Sequence, residues 1–149
     1  MFSLSEKLPE KLSDLIFLAM TDLVAIEKNP LYTVDMDNWH EPDYSAGACA
    51  VCLAGAVMAQ RGEDFDDCDS IEADDWEGGE SDKFHALDHA RRGAIGRALH
   101  CLEHGNYSTD MRSAVDSRFD RDVIPYDRDS IAFGLAMRAI AYDLREAGF

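Results

Sequence analysis

The sequence ACAVCLAGAVMAQ, residues 48–60, contains the longest apolar run of the chain, residues 48–59, and decides the predicted fold. Its apolar positions are continuous and Gly55 lies near its centre, a pattern typical of a buried helix that another helix approaches closely. A strand of a parallel sheet is the competing interpretation. The length of the segment and the presence of only two β-branched residues, Val51 and Val57, favour the helix. We therefore predict a buried central helix over residues 48–60.

Other stretches of the chain show apolar residues at helical spacing. From Leu8 to Lys28 they recur every three or four positions, which predicts a first helix that ends before Pro30. Tyr32, Val34 and Met36 alternate with polar residues, which predicts a short strand near residues 31–36. Further helices are predicted over residues 81–104 and 108–118, and a last one runs from a cap at Asp127 or Asp129 to Ala147, with Ile131, Leu135, Ile140 and Leu144 facing inward.

These elements predict a mainly α fold. The chain has 149 residues, a length typical of one compact domain that can bury a core of its own. We see no internal repeat and no low-complexity linker that would divide it. The prediction is a single helical domain over residues 1–149, a bundle of about five helices with an acidic loop at residues 62–82.

The charge of the chain limits its partners. Its formal net charge is -16, from 30 acidic and 14 basic residues, and such an imbalance repels phosphate backbones and anionic lipid headgroups. We therefore expect no direct binding to nucleic acid or to a membrane. A basic protein surface is the partner that this charge favours. Solubility, or adaptation of the protein to salt, is the alternative explanation of the same composition.

Much of the charge is concentrated in residues 62–82, which we call the acidic segment. It contains 11 acidic residues and no basic residue. Phe65, Ile71 and Trp76 interrupt it, and burial of their side chains would hold the segment against the body of the protein as an ordered loop. The candidate partner-binding residues are Asp64, Asp66, Asp67, Asp69, Glu72, Asp74, Asp75, Trp76 and Glu77.

The first residues of the chain predict a cytoplasmic location. They include acidic residues and Pro9 where a secretory signal has a basic end and an apolar run. The apolar stretch at residues 48–60 is also shorter than the roughly 20 residues that span a bilayer. In a reducing compartment the four cysteines, Cys49, Cys52, Cys68 and Cys101, are predicted to be free thiols.

Cysteine and histidine spacing offers an alternative function that depends on a metal or a thiol. Cys49 and Cys52 are three residues apart, and His100 and His104 are four apart on the predicted third helix. These four side chains would form a closed metal site if the second and third helices pack together. His40, His85 and His89 are further candidate ligands. The pair within an apolar helix is more typical of buried, structural cysteines, so no cofactor and no catalytic residue is predicted.

A third possibility is a small-molecule pocket between helices, lined by Trp39, Tyr44 and Trp76.

Two stretches of the sequence resemble a group of small acidic proteins of unassigned role encoded by bacteriophages and prophages. They are VDMDNWH at residues 34–40 and CAVCLAGAVMA at residues 49–59. The resemblance covers about a quarter of the chain and transfers no catalytic residue. It implies an accessory protein that binds host machinery, such as a defence system or a nucleic-acid enzyme. The leading prediction is thus a cytoplasmic interaction protein rather than an enzyme, one that docks on a basic host surface and inhibits a nucleic-acid-binding or defence protein.

Overall fold

The fold of the computed structural model combines helices with two small sheets. The structure describes residues 2–45, 47–63, 65–66, 68–104, 126 and 131–149. The predicted helix at residues 108–118 lies outside these ranges, and so do Asp127 and Asp129, the predicted caps of the last helix. The helices are α1 (Leu12–Glu27), α2 (Leu53–Arg61), α3 (Glu80–Arg91), α4 (Ile95–His104) and α5 (Ile131–Glu146), and the strands are β1 (Ser3–Leu4), β2 (Tyr32–Val34), β3 (His40–Asp43), β4 (Ala48–Val51) and β5 (Gly62–Glu63). The prediction of a helical bundle is wrong, because the described residues form a mixed α/β fold.

The apolar stretch at residues 48–60 is a strand followed by a helix. Strand β4 lies in the middle of a three-stranded sheet, parallel to β2 and antiparallel to β3. Cys52 is the N-cap residue of α2, and its Sγ accepts a hydrogen bond from the Gly55 amide at 3.4 Å. Three of the four residues of β4 are fully buried, so it lacks the alternation that marks a half-exposed strand. The helical interpretation is therefore wrong for residues 48–51 and correct for residues 53–60.

Strands β2 and β3 lie on opposite sides of β4 in the sheet. Val34 and His40 both lie opposite Val51, one on each side. Strand β2 confirms the short strand predicted near residues 31–36, whereas β3, with the sequence HEPD, was not predicted. Pro42 is compatible with β3 because this strand is at the edge of its sheet, where a missing amide hydrogen leaves no partner unsatisfied.

Gly55 allows α2 to pack directly on backbone. A Cβ atom at this position would lie 1.6 Å from the Trp39 carbonyl oxygen and 2.8 Å from the Trp39 carbonyl carbon. Only a residue without a side chain fits at this contact. The close approach expected at Gly55 is therefore present, but to a loop preceding β3 rather than to a helix.

The predicted helix at residues 81–104 is broken into α3 and α4. Gly93 lies between them with φ of 79°, a left-handed conformation that ends α3 and turns the chain. The helix predicted from Leu8 is confirmed as α1, although it begins at Leu12. Its apolar stripe, which includes Leu15, Ile16 and Leu23, is fully buried.

Helix α5 packs with only part of its predicted apolar face inward. Ile140 and Leu144 are buried, as predicted, but Ile131 and Leu135 are 76% and 61% exposed. The buried positions of α5 are Phe133, Met137, Ile140, Ala141 and Leu144, a stripe rotated from the one predicted. At its end, Gly148 takes a φ of 91° and Phe149 donates its amide hydrogen to the Leu144 carbonyl, which closes the helix.

Candidate interaction surface

The acidic segment is fixed to the three-stranded sheet by a buried histidine. The His40 side chain is fully buried, and its Nδ1 lies 2.7 Å from the carbonyl oxygen of Asp69. A carbonyl oxygen can only accept, so Nδ1 carries the hydrogen and donates it. The Ile71 amide in turn donates to the His40 carbonyl at 2.8 Å. These two bonds attach the middle of the segment to the edge strand β3.

Aromatic and aliphatic residues of the segment are part of the core. Trp76 and Ile71 are 2% and 1% exposed, and the Trp76 ring lies 5.1 Å from the Phe84 ring of α3. The predicted attachment of the segment to the body is therefore present. Trp76 was also a candidate for partner binding, but its ring is buried in this structure and offers no surface to a partner.

A disulfide bond joins the acidic segment to the centre of the sheet. It links Cys49 of β4 to Cys68, which is 19 residues later in the sequence. The prediction of four free thiols is therefore wrong for this pair. The fold brings the two residues together because the chain returns along the sheet after α2, a proximity that sequence spacing does not reveal. Cys52 and Cys101 are free and buried, and burial raises the pKa of each thiol to about 11.

Most carboxylates of the segment point to solvent. Asp66, Glu72, Asp74, Asp75 and Glu77 are exposed and Asp69 is half-buried, whereas Asp64 and Asp67 lie outside the described residues. Several also fix the local backbone. The Asp66 amide donates to Asp69 Oδ2 at 3.0 Å, and the Glu72 amide donates to Asp75 Oδ2 at 2.8 Å around a 3-10 turn over Ala73–Asp75. These described residues of the segment therefore present their charge on a hydrogen-bonded backbone.

Six lysines and arginines of the described residues form ion pairs, and Glu80 near the end of the acidic segment is the one partner that they take from it. Within the described ranges no lysine or arginine forms an ion pair with Asp66, Asp69, Glu72, Asp75 or Glu77. The pairs that do form are Arg61 with Asp22 and Glu6, Lys83 with Glu80 and Glu10, Lys7 with Glu10, Arg91 and Arg92 with Asp88, and Arg145 with Asp14. Within the described residues, the basic side chains therefore leave most of the segment's charge uncompensated.

Among the described acids of the segment, Asp74 is paired with a histidine. His85 Nε2 donates to Asp74 Oδ1 at 2.9 Å, and Ser81 Oγ donates to the same oxygen at 3.1 Å. The hydrogen bond from His85, together with that from Ser81, holds the pKa of the Asp74 carboxyl below its ordinary value. The His85 ring also lies edge-on to Trp39 at 5.7 Å. This cluster joins the segment to α3.

The proposed metal ligands are not brought together in the described part of the chain. Cys49 is bonded to Cys68, and the Cys52 sulfur caps α2. His100 is on α4, and the side chain of His104 lies outside the described residues. Among the described residues, no three His, Cys, Asp or Glu side chains cluster in a way that would hold a metal ion. His40, His85 and His89 are among these residues.

Two of the three aromatic residues of the predicted small-molecule pocket, Tyr44 and Trp76, border different cavities. Tyr44 is 92% exposed and lines a surface cavity beside the disulfide, whereas Trp76 borders a different one next to residues 2–7. Trp39 contacts His85 instead. The cavity beside the disulfide was not predicted, because its walls come from three separate parts of the chain.

A scan against models of protein families, a search of curated proteins and a search of solved structures each gave no match to this chain. Within the described ranges, none of the helices combines the length and the apolar character needed to cross a bilayer.

Proposed function

We propose that this protein is an interaction protein that presents its acidic segment to a basic surface of another protein. The observation that carries the proposal is the distribution of ion pairs. The arginines and lysines paired in the described structure neutralise acids of the body and of the edge of the segment, while Asp66, Glu72, Asp75 and Glu77 stay exposed and unpaired with them. A concentrated negative potential of this kind speeds encounter with positive surfaces and selects among them.

The contacts that hold the acidic segment in place support a binding role more than a role in solubility alone. Charge that only keeps a protein soluble needs no defined geometry. Here a disulfide, the His40 hydrogen bond and the buried Trp76 ring hold the segment in place. A fixed arrangement lowers the entropy that a binding surface loses when it meets its partner.

The partner class follows from the charge and from the sequence resemblance. Basic grooves that hold DNA or RNA carry the opposite potential, so a nucleic-acid-binding protein fits the proposal, and a phage-type accessory protein would act as its inhibitor in the host cytoplasm. The Cys49–Cys68 disulfide does not favour a reducing cytoplasm, because disulfides persist mainly in oxidising compartments. A thiol count on protein extracted from cells under acid quench decides whether the bond exists there.

Charge reversal at three positions tests the proposal. Glu63, Asp66 and Glu77 are exposed, and each carboxylate lies outside every ion pair in the described part of the chain. Their replacement by Lys should leave the fold intact. The control variant carries the same three changes of charge at exposed helix positions elsewhere, Glu27→Lys with Glu103→Lys and Glu146→Lys. Both variants are compared with the natural chain by thermal melting before use.

The immobilised proteins are then incubated with bacterial lysate treated with nuclease, and captured proteins are quantified by mass spectrometry. We expect the natural chain and the control to retain the same basic protein, and the Glu63/Asp66/Glu77 variant to retain about a tenth or less of it, since reversed charges at an interface each cost several tenths of a kcal/mol or more. The purified captured protein should also lose affinity for duplex DNA when the natural chain is added. Equal capture by all three proteins contradicts the proposal.

A further inference from the structure

A surface cavity lies beside the disulfide, at the side of the three-stranded sheet. Its volume is about 370 Å³, and its walls come from the start of β2, the turn between β3 and β4, and the Cys49–Cys68 bond. This is at the small end of the range for ligand pockets, which is about 300–1,000 Å³. The lining residues are Leu31, Tyr32, Pro42, Asp43, Tyr44, Gly47, Ala48, Cys49 and Cys68.

Two large apolar side chains at this cavity are left in water. Leu31 is 64% exposed and Tyr44 is 92% exposed. A single exposed apolar residue is ordinary on a protein surface. Here both stand beside a concave surface formed by a disulfide, a proline and a tyrosine, so an apolar group that entered would bury all of them at once.

Hydrogen bonds join the described residues on either side of Tyr44. Asp43 Oδ1 accepts hydrogen bonds from the Ser45 amide at 3.1 Å and from the Ser45 hydroxyl at 2.7 Å. The Gly47 amide donates to the Asp43 carbonyl at 2.9 Å, and Gly47 itself has φ of 66°. These hydrogen bonds fix the described residues of this part of the cavity wall.

The charged side chain among the described residues that line the cavity is an acid. Asp43 lines it, and Cys68 belongs to the acidic segment, with Asp66 and Asp69 close to it in sequence. No lysine or arginine is among the described residues that line it. Binding of an apolar side chain in this cavity would therefore be stronger when basic residues flank that side chain, and weaker when acidic residues flank it.

We propose that this cavity receives one aliphatic or aromatic side chain from a basic segment of the protein partner. The inference rests on the proposed function and adds to it, because it states which feature besides positive charge the partner must have. The acidic segment attracts the partner over a distance, and the cavity selects partners that carry an apolar residue among their basic ones. Interfaces commonly combine such a buried apolar anchor with a charged rim.

Two synthetic peptides serve as probes. Both are short, amidated and fluorescein-labelled, and consist of lysine and glycine. One carries a single central tryptophan, and the other carries glycine at that position. Their affinities for the natural chain are measured by fluorescence anisotropy at low salt. We expect the tryptophan peptide to bind about tenfold more tightly, the effect of partly burying one large apolar side chain.

Two variants separate the cavity from the charge. Leu31→Ser with Tyr44→Ser removes apolar surface at exposed positions without altering charge. In this variant the tryptophan peptide should bind only as tightly as the glycine peptide, whose affinity should not change. The Glu63/Asp66/Glu77 variant with lysines should weaken both peptides and keep their ratio. Thermal melting confirms that each variant is folded.

The outcomes distinguish the two proposals. If the natural chain binds both peptides equally, or if the preference for tryptophan survives in the Leu31/Tyr44 variant, the cavity is not the apolar site and the proposed function still stands. If neither peptide binds the natural chain at low salt, both proposals are wrong. Loss of the preference in the Leu31/Tyr44 variant, with the glycine peptide unaffected, supports the cavity.

Discussion

The Cys49–Cys68 disulfide should make a large and measurable contribution to stability. It closes a loop spanning 19 residue steps that contains α2 and the start of the acidic segment. Loss of chain entropy in the unfolded state predicts that a cross-link of this length stabilises the fold by about 3 kcal/mol. Reduction should therefore lower the free energy of unfolding by that amount. For a chain of this size such a loss corresponds to a melting temperature lower by roughly 6–12 °C.

Urea unfolding followed by circular dichroism, with and without a phosphine reductant, measures this difference. The Cys49→Ala/Cys68→Ala variant is the control, because the reductant should have no effect on it while the variant itself should be about as unstable as the reduced natural chain. A thiol assay verifies the bond independently. The oxidised chain should show two reactive thiols in denaturant, from Cys52 and Cys101, and four after reduction.

The reasoning is refuted if four thiols react in denaturant without reductant. It is also refuted if the oxidised and reduced chains unfold within about 0.5 kcal/mol of each other, because a cross-link between the sheet and the acidic segment could not then be restricting the unfolded chain as proposed.

Further predictions follow from the helix contact and from the Asp74 pair. Gly55→Ala should destabilise the protein by about 1–3 kcal/mol in urea, because its methyl group would overlap the Trp39 carbonyl. Gly79→Ala, where a Cβ would meet nothing within 4 Å, should have a far smaller effect, and equal losses would contradict the contact. In a carboxyl NMR titration, Asp74 should protonate below the ordinary pH range of an aspartate, and its midpoint should rise in His85→Ala. Because the pKa of Asp74 is lowered in the folded state, the small stability that it contributes is present above the pKa of the unfolded state. This stability is lost as the pH falls through the pKa of the folded state. A titration midpoint of Asp74 that does not move in His85→Ala would contradict the pairing.

Helices with one buried stripe were predictable from the sequence. In α1, Leu15, Ile16 and Leu23 lie at helical spacing and are all buried, because the helix packs on the core along a single face. Helix α5 shows the limit of the same method. Ile131 and Leu135 share its apolar spacing, yet both are exposed, since the position of the stripe depends on the neighbours that the helix meets.

Strand β4 was mistaken for helix for a physical reason. A central strand covered on both sides is apolar at successive positions, so Cys49, Ala50 and Val51 carry no alternation by which a strand is recognised. Strand β3 was missed for the opposite reason. Its sequence HEPD is polar and contains a proline, and it is a strand because it pairs with β4 along the sheet edge.

The acidic segment was predictable in composition but not in its connections. Its excess of carboxylates and the burial of Ile71 and Trp76 follow from residue type alone. The disulfide, and the hydrogen bond from His40 to Asp69, depend on residues far apart in the sequence meeting at one edge of the sheet. The pairing of Arg61 with Asp22, 39 residues away, rather than with the neighbouring segment, is likewise a property of the tertiary structure.

The salt dependence of binding to the captured partner tests the central claim most directly. Affinity is measured by calorimetry from about 0.05 M to about 0.5 M NaCl for the natural chain and for the variant with lysine at Glu63, Asp66 and Glu77. Electrostatic docking predicts that the natural chain loses affinity steeply over this range as the charges are screened, and that the variant binds weakly with a much shallower dependence. Equal affinities for the two proteins, unchanged between low and high salt, would contradict the claim.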